Sequence, residues 1–194
     1  LRQYESSNTR SLNSDFIIDI FKSSEGTIYL LTSSGIYSYD PLQDDFVPVP
    51  GLPENHHYAY IAEDQKGIIW LGTYWDGLYR YNPKNKQVRA FTHKNDDSYS
   101  ISSNVINGIF SDSTERLWVT TENGLNLYDP KTGNFRKLTT HDGLPSNVTY
   151  SILEDQNGIL WISTSNGLVK FDVDKEEMKT YTTVNGLISD QFNY

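Results

Sequence analysis

The residues best suited to ligand chemistry form one short segment, Tyr74-Trp75-Asp76. Aromatic faces pack against the apolar faces of sugar rings, and an adjacent carboxylate can accept hydrogen bonds from sugar hydroxyls. A tryptophan at a loop tip is unusual unless it packs or binds something, because its large apolar surface would otherwise face water. The segment therefore predicts a carbohydrate-binding surface, with Tyr74, Trp75 and Asp76 as candidate residues.

Three further candidates stand in neighbouring loops. His56 and His57 precede the first strand of the same structural unit, and Tyr99 lies in the lengthened loop 93–100 that precedes the next unit. If these loops share one end of the fold, their rings, amides and carboxylates would line a common rim. The alternative is that the loops pack on one another or on further parts of the fold.

Neither a catalytic site nor a metal site is indicated. Asp64, Asp112 and Asp155 recur at one position of a repeat. A recurring carboxylate is better explained by turns, in which Asp accepts backbone N–H groups, than by acid–base catalysis. His56 and His57 are adjacent and would point to opposite sides of a strand. Nucleophile, phosphate and dinucleotide motifs are lacking. We expect no catalytic residue, metal or cofactor.

The composition restricts the class of partner. The chain has 194 residues, with 16 basic and 25 acidic side chains and a formal net charge of −9. This balance argues against nucleic acids and anionic membranes, and against highly sulfated or phosphorylated ligands unless a local basic patch overrides it. No apolar run approaches the roughly 20 residues of a membrane span. The absence of cysteine fits either the cytoplasm or the periplasm.

One unit recurs four times along the chain. Each copy has an aromatic anchor between apolar residues, a turn ending in glycine, a short alternating strand and usually Asp-Pro or Asn-Pro. The anchors are Tyr29, Trp70, Trp118 and Trp161, which stand 41 to 48 residues apart. A strand-forming repeat of this length is typical of a propeller or a stacked array. Because the position recurs, we expect these tryptophans to pack between units rather than to bind sugars.

Four strands are predicted in each unit, and they become more polar along the chain. The first is centred nine residues before the anchor, at Ile20, Ile61, Ile109 or Ile152, and its apolar character predicts an inner strand buried on both faces. This gradient is typical of a four-stranded blade that packs around a channel. The predicted fold class is therefore all-β, a β-propeller, with stacked sandwiches as the alternative.

The predicted blades span about residues 14–50, 56–92, 103–140 and 146–183. The segment 1–4 matches the outer strand of a preceding blade, and 186–194 repeats the start of the fourth unit. Natural proteins cover exposed sheet edges, so we expect an arc of a larger propeller. The alternative is a small ring in which the two ends pair with each other.

The whole repeat closely resembles the two-component regulator propeller repeat. The resemblance is carried by an acidic turn, an apolar-Trp-apolar strand, a Gly-Leu turn and an Asp-Pro turn, together with a linking phrase. The segments that match are 154–168, 63–73 and 117–130, with the linking phrase at 142–148 and its echo at 185–187.

The resemblance implies a seven-bladed propeller in the periplasmic sensor half of a membrane-bound histidine kinase, commonly a hybrid two-component regulator. It implies an oligosaccharide ligand, signalling through a homodimer across the membrane, and kinase activity outside this segment. The residues themselves leave two alternatives open, since fold does not fix function. These are a propeller-based carbohydrate-active lyase or hydrolase, and a protein-interaction scaffold.

Overall fold

The computed structural model describes Tyr4, Leu12, Ser14 and residues 16–192. Its strands form four antiparallel sheets of four strands, each paired in chain order. The first two sheets contain β1 (Ile17–Lys22), β2 (Ile28–Thr32), β3 (Gly35–Asp40), β4 (Asp45–Pro48), β5 (Tyr58–Glu63), β6 (Ile69–Thr73), β7 (Leu78–Asn82) and β8 (Gln87–Phe91). The last two contain β9 (Ile106–Ser111), β10 (Leu117–Thr121), β11 (Gly124–Asp129), β12 (Asn134–Leu138), β13 (Thr149–Glu154), β14 (Leu160–Thr164), β15 (Gly167–Asp172) and β16 (Glu177–Tyr181).

Helix is confined to two single turns, Thr140–Asp142 and Thr183–Asn185, in the described residues. Neither of them is long or apolar enough to cross a membrane. The four separate four-stranded sheets confirm the all-β prediction and the predicted number of strands in each unit.

The sheets pack face to face as successive blades. Tyr29 of the first blade lies in an apolar cluster with Leu71 of the second. Trp70 lies in a cluster with Leu117 of the third blade, and Trp118 lies in a cluster with residues of the fourth. Both tryptophans are only 1% exposed. The prediction that these anchors pack between blades is confirmed for Trp70 and Trp118.

The inner strands are less buried than the sequence predicted. Every residue of β6 and β10, the second strands of their blades, is buried. In contrast, Ile20 of the inner strand β1 is 65% exposed, and Leu153 of the inner strand β13 is 67% exposed. The prediction of an inner strand buried on both faces is therefore wrong. Ile20 pairs with Leu30 and Leu153 with Trp161, so each lies on a blade face that no neighbouring blade covers in the described part.

The recurring aspartates hold the first turn of each blade and anchor the tryptophan at the same time. One carboxylate oxygen accepts backbone N–H groups two and four residues later, as the sequence predicted. The other accepts the indole Nε1–H of the anchor. The pairs are Asp64–Trp70 at 2.9 Å, Asp112–Trp118 at 2.8 Å and Asp155–Trp161 at 3.1 Å.

The first blade lacks both the tryptophan and its aspartate partner. Its anchor is Tyr29, which has no indole N–H, and the position six residues before it holds Ser23 instead of aspartate. The Ser23 hydroxyl still accepts the N–H of Thr27 at 3.1 Å and so keeps the turn. The carboxylate thus occurs where an indole needs a partner.

The chain after β16 follows the path that joins the third blade to the fourth. The N–H of Gly167 donates to the carbonyl of Asp190 at 2.6 Å, as the N–H of Gly124 donates to the carbonyl of Asn147 at 2.6 Å. Residues 186–192 form no strand, and residues 193 and 194 lie outside the described part.

The predicted strand at 1–4 is described only at Tyr4. The Tyr4 ring packs edge-on against Phe46 at 5.3 Å, and Leu12 is 3% exposed in the same apolar cluster. These residues cover part of the face of the first blade that points away from the second, and Ile20 on the same face stays exposed.

Candidate functional site

The turn between β6 and β7 and the loop that leads into β5 lie at the same end of the second blade. The N–H of Tyr74 donates to the carbonyl of His57 at 3.1 Å. The hydroxyl of Thr73 fixes the turn, because it donates to the carbonyl of Gly77 at 2.9 Å and accepts the N–H of Asp76 at 2.8 Å. Gly77 has φ +85°, a conformation that favours glycine. The inserted residue is therefore accommodated without loss of turn bonding.

An exposed aromatic patch stands on this turn. Trp75 is 62% exposed and Tyr74 is 42% exposed. The His57 ring meets the Trp75 ring edge-on, with centroids 5.1 Å apart, and the Tyr74 ring lies tilted at 5.7 Å from Trp75. Two contacts thus orient the indole while most of its surface stays open to solvent. The rim is the group formed by Tyr74, Trp75, Asp76, His56 and His57.

The polar side of the rim is a short network around His56. Its Nδ1 lies 3.2 Å from Oδ2 of Asp76 and 3.2 Å from the hydroxyl of Tyr79. Burial, and then the negative charge of Asp76, raise the pKa of Tyr79, so its hydroxyl stays protonated at neutral pH. The Asp76 side chain is 40% exposed and can accept hydrogen bonds from a ligand.

Tyr99 does not join the rim. Its carbonyl accepts the N–H of Phe135 at 2.9 Å, which places it beside the outer strand β12 of the third blade. Phe135 stands next to the turn between β11 and β12, at the end of the blade opposite the β10–β11 turn. Tyr99 is 64% exposed there. The structure therefore brings five of the six predicted residues together and leaves Tyr99 at the other end.

Sequence reasoning missed Tyr79, which orders His56. Tyr79 sits in an alternating strand, and Tyr37 holds the matching position in the first blade. Because the first blade also has a tyrosine there, the residue type alone does not single out the position. The Tyr79 hydroxyl lies 3.2 Å from Nδ1 of His56, and the sequence does not show that contact.

The rim can bind by stacking and hydrogen bonding. It offers an indole, a phenol, imidazoles and one carboxylate, all at a surface turn. Among Tyr4, Leu12, Ser14 and residues 16–192, no three His, Cys, Asp or Glu side chains are placed to hold a metal ion. Groups of these types can stack on an apolar face and can donate or accept hydrogen bonds at its edge.

Comparison with known sequences supports the resemblance of the repeat. The family described as two component regulator propeller matches residues 51–75 and 143–166. A histidine kinase, P4, of Formosa agariphila is 34% identical over 68 residues, which are 35% of this chain and 5% of that protein. The chain thus spans a small part of this curated relative. The first family match ends at Trp75, within the rim turn.

Comparison with solved structures supports the fold. The extracellular domain of a hybrid two-component system of B. thetaiotaomicron superimposes with a TM-score of 0.77 at 21% identity, over 93% of this chain and 26% of that one. An ancestral GH74 enzyme gives 0.70 at 14% identity, over 94% and 27%. Virginiamycin B lyase from Staphylococcus aureus gives 0.65 at 14% identity, over 85% and 55%. At these identities the likeness shows the propeller fold alone.

Proposed function

We propose that this chain, which carries two-component regulator propeller repeats, is the ligand-sensing part of a two-component signalling protein and binds an oligosaccharide at the rim. The observation that carries the proposal is Trp75, a largely exposed indole in the turn that breaks the repeat. The other described tryptophans serve the blades through their aspartate partners, but Trp75 has no such structural task.

The rim offers groups that match both the apolar face and the hydroxyl groups of a sugar ring. The indole of Trp75 can cover the apolar face of a ring, while Asp76 accepts hydrogen bonds from hydroxyls at the ring edge. Nδ1 of His56 lies 3.2 Å from Asp76, and when this nitrogen carries a proton it donates to the carboxylate and orients it before a ligand arrives. Pre-orientation lowers the entropy lost on binding.

The proposed partners also include further blades of the same protein. Trp70 and Trp118 are each covered by the next blade, whereas the Trp161 face carries the exposed Leu153 and has no covering blade in the described part. The hydrogen bond from Gly167 to Asp190 starts the path that would lead to such a blade. We take the chain as an arc of a seven-bladed ring.

In this proposal the protein works as a homodimer in the membrane, with the propeller in the periplasm. Ligand binding would favour one arrangement of the two sensor halves, and the energy available equals the difference in ligand affinity between the two arrangements. Any kinase activity lies outside this segment, which has no enzymatic role of its own.

An enzyme remains the second candidate because His56 and Asp76 form a close pair beside Tyr79. A pair of this kind can move a proton, as a general base must. The two candidates differ in one measurable respect: an enzyme turns its ligand over, whereas a sensor releases it unchanged. Chromatography of the oligosaccharide after long incubation with the intact protein separates them.

The test is calorimetry of the intact protein with a panel of oligosaccharides, repeated with Trp75→Ala. Loss of stacking should weaken binding about tenfold, since about 1.4 kcal/mol corresponds to a factor of ten. Leu42→Ala is the matched control, because Leu42 is a 95% exposed apolar residue at another turn. If Trp75→Ala binds each oligosaccharide as tightly as Leu42→Ala does, the rim is not the binding site.

A further inference from the structure

A second concave surface lies between the second and third blades, at the end opposite the rim. It encloses about 400 Å³. The turn between β5 and β6 and the turn between β9 and β10 form its mouth, and Trp70 and Tyr128 form part of its wall. Three basic residues line it, Lys66, Arg80 and Arg89. We call it the interblade cleft.

Two of these cations stand directly opposite each other in the sheet. Arg80 of β7 pairs in register with Arg89 of β8, on the face that carries Trp70. Like charges at directly opposed positions destabilise a sheet. Neither guanidinium forms an ion pair within the described residues. A pair that costs stability and has no carboxylate partner needs another explanation.

The guanidinium of Arg89 is held in place by neutral groups. It lies 4.6 Å from the centroid of the Phe91 ring, and its Nη2 donates to the carbonyl of Gly133 at 3.4 Å. Gly133 has φ +75°, which favours glycine, and a Cβ there would stand 2.5 Å from Nη1, so a larger residue would displace the guanidinium. Arg89 is thus oriented without its charge being neutralised.

The acidic residues of the cleft leave this charge largely unopposed. Asp64 uses one carboxylate oxygen for two backbone N–H groups and the other for the indole of Trp70. Glu115 is exposed at the mouth and forms no ion pair within the described residues. The net charge of the whole chain is −9, so an unpaired arginine pair is a local exception.

Among the four described blades, the second alone has arginine at both of these positions, although the fourth also places two basic side chains there. The matching cross-strand positions hold Ser38 and Val47 in the first blade, and Leu127 and Arg136 in the third. Lysines fill them in the fourth blade, at Lys170 and Lys179. Blade architecture therefore does not require arginine here. Arginine differs from lysine by its planar fork of donors, which matches a carboxylate or sulfate with two hydrogen bonds.

We propose that the interblade cleft binds a small anion through a carboxylate or sulfate group that bridges Arg80 and Arg89. The bound anion replaces the repulsion between the two guanidinium groups with two charge-assisted hydrogen-bond pairs. The aromatic wall leaves room for a ring attached to the anionic group, such as that of an acidic sugar. This site is independent of the rim and does not rest on it.

Calorimetry of the intact protein at low salt tests the proposal with three ligands: sulfate, D-glucuronate and D-glucose. Sulfate and glucuronate should bind, and neutral glucose should not bind in the cleft. Arg80→Gln and Arg89→Gln, which keep the aliphatic stems, should each weaken anion binding at least tenfold. Lys170→Gln, the matched change in the fourth blade, should leave it unchanged. Binding of glucuronate alone would assign the cleft to a sugar acid, and binding of both would assign it to the anionic group itself.

Two further measurements keep the test valid if an arginine variant fails to fold. Glu115→Gln removes the carboxylate at the mouth of the cleft and should tighten sulfate binding severalfold. Sulfate should also raise the unfolding temperature of the wild type but not that of Arg89→Gln. Absence of binding by both anions in the wild type would overturn the proposal. So would equal anion affinity in wild type, Arg80→Gln and Arg89→Gln. The Trp75→Ala variant should bind anions normally, which separates this result from that of the rim.

Discussion

The indole Nε1 of Trp118 donates a hydrogen bond of 2.8 Å to Oδ2 of Asp112, and both residues are only 1% exposed. The same carboxylate accepts Nε of Arg116 at 2.6 Å and the N–H groups of Thr114 and Arg116. One aspartate thus joins a turn, a cation and the aromatic anchor of a blade. A buried group with this many partners is costly to remove.

We predict that Asp112→Ala lowers the free energy of unfolding by about 3 kcal/mol, because it leaves a buried indole N–H and turn N–H groups without acceptors. Asp155→Ala is the matched control at the same position of the fourth blade. Trp161 is more exposed than Trp118, so water can replace the lost carboxylate and the cost should be about 1 kcal/mol. Urea titration measures both values. Equal losses at the two positions would contradict the role given to burial.

The ionisation of Asp112 should make the free energy of unfolding depend on pH. Burial raises the pKa of this carboxyl, but hydrogen bonds from Trp118, Arg116 and Thr114 outweigh burial, and the pKa lies below its ordinary value. A carboxyl with a lowered folded-state pKa stabilises the fold above its unfolded value of about 3.9 and loses that contribution as the pH falls through the folded value.

Asp112→Asn should therefore be less stable than the wild type at pH 7, and the difference should shrink as the pH falls from about 5 toward 2. Urea unfolding across this range measures it, with the exposed Asp96→Asn as control. A difference that stays constant with pH would show that the carboxylate charge contributes nothing.

The repeat predicted the fold because the same residue types recur at matched positions in four units. A buried aromatic anchor, a glycine turn and a polar outer strand each appear at matched offsets, so chance similarity is averaged out. The burial of the inner strands was not predictable in the same way. Ile20 holds the repeat position of Ile61 and Ile109, which are half-buried, and Leu153 holds that of the half-buried Phe110. Ile20 and Leu153 are exposed because no blade lies beside them in the described part.

The candidate site was predictable only where neighbouring loops belong to one blade. Tyr74, Trp75, Asp76, His56 and His57 meet because β5 begins where β6 ends, and pairing of adjacent strands follows from the sequence pattern. The position of Tyr99 depends on how a long loop crosses the third blade, which local patterns do not specify. The arginine pair was missed because register between β7 and β8 is needed to place its members opposite each other.

Close packing of inner strands gives a further prediction at Gly108. A Cβ there would stand 2.8 Å from Oγ1 of Thr120 and 2.8 Å from the carbonyl of Tyr150 in the next blade. Gly108→Ala should therefore lower the free energy of unfolding by about 1–3 kcal/mol. In Gly35→Ala the new Cβ would lie 3.9 Å from the Tyr37 ring, an ordinary contact, so stability should be unchanged or slightly raised. Thermal unfolding of both variants checks this; a neutral Gly108→Ala would refute the close approach.

The most direct test of the central claim follows the fluorescence of Trp75 while the intact protein binds an oligosaccharide found in the panel. Trp70 and Trp118 are buried, so Trp75 should contribute much of the emission that acrylamide quenches. We predict that the ligand protects this emission from acrylamide and that the protected fraction disappears in Trp75→Phe. If the ligand binds with full affinity while the Trp75-dependent emission stays equally accessible to acrylamide, the rim is not where this protein recognises its ligand.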